Sequence, residues 1–123
     1  MTKNIPSEGD FARASAKMKQ RSRGLSEVRE RILHRFQRSG ELHEFFILDC
    51  SDRSFRAYVF YLQEKDIKQA ENSGLEARIK DAVFNELENV GRGDRQSVEV
   101  AFELDSHENV EREFEGNYYN RLH

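Results

Sequence analysis

The spacing of apolar positions changes along the chain, and each spacing predicts an element. Leu25, Val28, Ile32 and Phe36 recur at three and four residues, with Leu33 widening the stripe, which predicts an amphipathic helix. Ser26 stands as its N-cap and Gly40 as its stop, while Arg29, Arg31, Arg35 and Arg38 make the opposite face positive. Residues 44–49 and 55–62 are rich in aromatic and β-branched side chains and flank a turn-like stretch, residues 50–54, so they predict a β-hairpin. In the second of these strands Phe55, Ala57, Val59 and Tyr61 share one face, and Tyr58, Phe60 and Leu62 make the other face apolar too. That is the pattern of a central strand covered on both sides.

Residues 63–72 are polar and carry no clear period. Ser73 and Glu76 then form an S-x-x-E capping box ahead of the stripe Leu75, Ile79, Ala82, Val83, Leu87 and Val90, closed by Gly91. A long helix is expected there. After the turn at Gly91, Arg92, Gly93 and Asp94, residues Val98, Val100, Phe102 and Leu104 alternate with Glu99, Ala101 and Glu103, which predicts a half-buried strand with an acidic outer face. Asp105 and Glu108 make a second capping box, so residues 107–114 are expected as a short helix ended by Gly116 and Asn117. Residues 118–122 are expected as a last strand. The whole reads as an α+β fold, a two-layer sandwich in the order α-β-β-α-β-(short α)-β, with helices packed on a mostly antiparallel sheet. The strands on either side of the long helix would run parallel if adjacent.

Length fits one such domain: 123 residues bury roughly two thirds of the surface their unfolded chain exposes, enough for one core. Charged residues make up 35% of the chain and the mean hydropathy is −0.88. The longest apolar run, residues 57–62, is far short of the ~20 residues of a membrane helix, so no membrane partner is expected. A single cysteine, Cys50, has no internal disulfide partner, which favours a reducing, cytoplasmic setting. The net charge of −3 hides a polarity: residues 1–40 carry +6 and residues 41–123 carry −9. Residues 1–22 hold few large apolar side chains and are expected as a basic, mobile N-terminal arm ahead of a single domain at residues 23–123.

No catalytic or nucleotide-binding motif is present. Cys50 lies between Asp49 and Asp52, and carboxylates oppose thiolate formation; free cysteines of this kind are commonly buried as small hydrophobes. His34, His43, His107 and His123 show no metal-ligand spacing, and a site from His43, Asp49 and Asp52 across the hairpin is the one conceivable combination. No metal, cofactor or catalytic residue is therefore expected, and the chain is read as a non-enzyme. The expected role is binding to another protein, a cationic one, through an acidic surface, as inhibitor, immunity or chaperone-like proteins of this size and charge do. Glu99, Glu103 and Glu111 with the neighbouring Tyr118 and Tyr119 are its candidate residues. Adjacent tyrosines on a strand point to opposite faces, so one would be displayed. The alternative is a nucleic-acid-associated regulator that neutralises phosphates with Arg13, Lys17, Lys19, Arg21 and Arg23.

Overall fold

The computed structural model describes residues 22–123. The expected arm, with Arg13, Lys17, Lys19 and Arg21, thus lies outside the described residues except for Ser22. Three strands, β1 (Glu44–Ser51), β2 (Ser54–Tyr61) and β3 (Glu99–Ser106), form one sheet in the order β1-β2-β3. The hairpin β1–β2 is antiparallel, with Glu44 opposite Phe60 and Asp49 opposite Phe55. β2 and β3 are adjacent and parallel, with Ser54 opposite Glu99 and Tyr61 opposite Ser106. The central position of β2 explains its apolar composition: one face is covered along its length and the other over Tyr58 and Phe60. Leu62 falls just beyond the strand and is 54% exposed.

Helix α1 (Leu25–Phe36) and helix α3 (Leu75–Asn89) pack together, and the main core forms between them and the first sheet face. Leu25, Val28, Ile32 and Phe36 of α1 and Ile79, Ala82, Val83 and Leu87 of α3 are buried there, beside Phe45, Ile47, Phe55, Ala57 and Val59. The stripes read from the sequence are the faces that pack. Their caps differ from expectation. α1 begins one residue before Ser26, with Gly24 in the left-handed region at φ 78° as its N-cap. It ends at Phe36, and Gly40 turns the chain afterwards, where the amides of Glu41 and Leu42 return to the Phe36 carbonyl.

The polar residues 63–72 contribute most of a helix, α2 (Glu64–Ser73), started by the Gln63 amide donating to the Asp66 carboxylate at 3.0 Å. Only Ala70 is fully buried on it and Ile67 is half-buried, too few apolar residues to show a period. Ser73 is the last residue of α2 and not the cap of α3. Gly74, at φ 85°, divides the two helices, so the expected Ser73–Glu76 capping box does not form.

Past β3 the short helix α4 spans the expected His107–Phe114, but its N-cap is Ser106, whose hydroxyl accepts from the Asn109 amide at 3.0 Å. The Asp105–Glu108 box is one residue out of register, because Asp105 lies within β3 and turns its carboxylate to Asn109 and Arg121. The expected last strand is instead a five-residue helix, α5 (Tyr118–Leu122), capped by Asn117, which accepts from the Asn120 amide. Helical spacing puts Tyr118 and Leu122 on one side, and both pack on the second sheet face with Val110, Phe114, Phe46, Tyr58 and Phe60. Tyr119 points away and is 70% exposed. One tyrosine packed and one displayed is the expected outcome, reached through a helix instead of a strand. No helix among the described residues is long and apolar enough to cross a membrane.

Candidate functional site

Side chains of the second sheet face fall into rows set by strand register. Glu44, Phe60 and Asp105 form the first row, Phe46, Tyr58 and Glu103 the second, Leu48, Arg56 and Ala101 the third, and Ser54 and Glu99 the last. α4 and α5 cover the first two rows: Phe60 is fully buried and Tyr58 nearly so. The other two rows are open. Leu48 is 40% exposed in mid-strand, and Arg56, Ala101 and Glu99 are exposed beside it. Arg121 of α5 marks the border, 2.7 Å from Asp105, 3.9 Å from Glu103 and over the Tyr58 and Phe60 rings.

The structure separates the acidic and tyrosine candidates into two groups. Glu99 stands on the open rows and Glu103 at their border, and Tyr119 is displayed on α5 against the His123 ring, with centroids 4.4 Å apart. Glu111 and Tyr118 instead belong to an imidazole cluster at the covered end. His107 lies between them, its Nδ1 2.7 Å from the Tyr118 hydroxyl and its Nε2 3.0 Å from the Glu111 carboxylate. An ionised carboxylate only accepts, so Nε2–H is the donor to Glu111, and in that tautomer Nδ1 accepts a hydrogen bond from the Tyr118 hydroxyl. His43, just ahead of β1, lies against His107 with ring centroids 4.3 Å apart. The i,i+4 spacing of His107 and Glu111 was legible on the expected helix, but nothing local in sequence joins them to His43.

Burial, with help from Glu44, Glu111 and Asp105, pushes the Tyr118 hydroxyl up to about 12. The phenol therefore stays protonated at neutral pH and acts as a hydrogen-bond donor to His107. Burial, then the neighbouring His107, pulls His43 below the ordinary histidine value. The His43, Asp49 and Asp52 combination is not assembled, because His43 precedes β1 whereas both aspartates lie near the hairpin turn. Among the described residues, no group of three or more His, Cys, Asp or Glu is arranged to hold a metal ion. Asp49 instead borders an apolar groove of about 280 Å³ with Leu25, Phe46, Ile47 and Leu48.

Cys50 is exposed, not buried as a small hydrophobe, because the irregular register between Asp49 and Ser51 falls at this position. A second cleft, of about 300 Å³, is lined by Tyr61, Asp66, Gln69 and Ser73. Arg23, the one arm candidate within the described residues, is exposed and donates to the Gly91 carbonyl at 3.4 Å. The chain matches no protein-family model, no curated protein and no solved structure with which it was compared.

Proposed function

We propose that this chain is a non-enzymatic, cytoplasmic binding protein that engages a cationic protein partner through the open rows of its second sheet face. The observation that carries this reading is the partial cover of one face. α4 and α5 shield Phe60 and Tyr58, yet the same strands continue into an uncovered surface with Leu48, Ala101 and Glu99 exposed. Glu99 and Glu103 on β3 supply the acidic character, Leu48 on the edge strand β1 supplies apolar area, and Arg56 of β2 stands between them. Tyr119, displayed on α5, is a separate exposed aromatic candidate. Glu111 and Tyr118 support the neighbouring helices and take no direct part.

The test is affinity capture from source cells, followed by association kinetics with the captured protein at two salt concentrations. Glu99→Lys with Glu103→Lys is expected to slow association and flatten its salt dependence, and Leu48→Asp to speed dissociation. Binding of a generic duplex or single strand at low salt, abolished by neutralising Arg13, Lys17, Lys19, Arg21 and Arg23 and indifferent to the sheet-face variants, would overturn the reading.

A further inference from the structure

The cover over the second sheet face is thinly anchored. Val110 is the only fully buried residue of α4, and α5 has none. Much of the attachment is polar: Arg121 to Asp105, Arg112 to Glu64 at 2.8 Å, the Glu108 amide to the Leu62 carbonyl, and the His107 cluster. The two histidine rings are held in contact from both sides. The His43 amide donates to the Phe60 carbonyl at 2.8 Å and its carbonyl accepts from Gln37, the C-cap of α1, at 2.8 Å, so the backbone that carries this ring is fixed. His107 is fixed in turn by Tyr118 and Glu111.

Neutral rings pack well in this arrangement. A proton added to His43 would place a cation at a half-buried position against a second imidazole, with ring centroids 4.3 Å apart. The carboxylates facing His43, Glu44 and Glu111, only partly offset the effect of burial and of His107. Glu44 of β1 is bound by Arg29 of α1 at 2.8 Å, Glu111 of α4 is shared with His107, and Tyr118 of α5 remains a neutral phenol. Asp105, at the end of β3, is held by Arg121.

We propose that the His43–His107 contact is a pH-sensitive latch, and that protonation of His43 against His107 releases α4 and α5 from the sheet and uncovers Phe46, Tyr58 and Phe60. The low affinity of His43 for a proton in the closed form agrees in sign. Once the helices lift, His43 regains an ordinary value near 6.5. Between that value and its lowered one the open form binds more protons, so opening becomes easier as pH falls through 6.5 and levels off below the lowered value.

Native-state hydrogen exchange of the full chain, corrected for intrinsic rates, tests this between pH 7.5 and 5 at several low denaturant concentrations. Amides of α4 and α5 are expected to exchange through an opening with a weaker denaturant dependence than that of α3. Their protection is expected to fall by up to tenfold per pH unit below 6.5 and then level off, as release coupled to one proton requires. That slope is expected to vanish in His43→Phe, which keeps a ring against His107 without a proton to gain, and in His43→Gln. Exchange of α4 and α5 only together with α3, with the same denaturant dependence, would overturn the latch, as would a slope that survives both substitutions.

Discussion

At Gly24 the absence of a side chain decides how closely two segments meet. A Cβ built there would lie 2.6 Å from the Val90 Cβ, and the residue's φ of 78° is one that side chains disfavour. Gly24→Ala is expected to destabilise the fold by about 1–3 kcal/mol, read as a lower urea midpoint at unchanged slope. Val90→Ala should recover part of the loss by removing the γ-methyl clash. Tyr61 sets a limit at the other end of the pH scale. It is 2% exposed, and its hydroxyl is pushed up to about 12 by burial, then by Glu76. The folded state holds that proton more tightly than an unfolded chain with a value near 10. The corresponding stability is complete below pH 10 and is lost as pH rises through about 12. Alkaline unfolding should therefore set in above pH 10 and be shallower in Tyr61→Phe, with Tyr118 supplying part of the slope that remains.

Helix ends separate a cap that is made from one only spelled in the sequence. Ser106 accepts from the Asn109 amide, so Ser106→Ala should cost about 0.5–2 kcal/mol. Ser73 carries the stronger sequence motif, yet its hydroxyl lies 3.4 Å from both the Leu75 amide and the Ala70 carbonyl at the junction of two helices. Ser73→Ala should stay within about 0.5 kcal/mol of the parent. Thermal denaturation of the two alanine variants side by side measures the contrast, and equal losses would show that Ser73 does cap α3.

Across the molecule, the sheet separates two apolar clusters of unequal size. Leu87 is fully buried in the larger one and Phe60 in the smaller. Leu87→Ala is expected to cost about 2–5 kcal/mol and Phe60→Ala about 3–5 kcal/mol in urea unfolding. A value for Phe60→Ala below about 1 kcal/mol would mean that α4 and α5 do not shield the second face. Buried Arg92 joins distant loops on a similar scale: it stacks on Phe55 and donates to the carbonyls of Arg23 and Asp52, 3.0 and 3.1 Å away. This holds the turn after α3 against the hairpin and the start of α1.

Sequence alone determined the elements whose apolar residues repeat several times: α1, α3, the hairpin, and β3 with its acidic face. Burial of an amphipathic stripe is a local pattern, so Leu25, Val28, Ile32 and Phe36, or Ile79, Val83 and Leu87, announce a helix whatever they pack against. The bounds of α4 were legible from end signals, although its cap is Ser106 and not Asp105, and so was the cover over both faces of β2 at Tyr58 and Phe60. α2 escaped because Ile67 and Ala70 are too few to define a period. α5 was read as a strand because two aromatics followed by polar residues suit either element, and the choice fell to contacts of Tyr118 and Leu122 with Phe46 and Phe60. The open rows on the sheet depend on strand order and on how far two short helices reach. The meeting of His43 with His107, Glu111 and Tyr118 joins residues as much as 75 positions apart. Only the tertiary structure decides such a contact, because side-chain period records which face is buried and says nothing of what lies across from it.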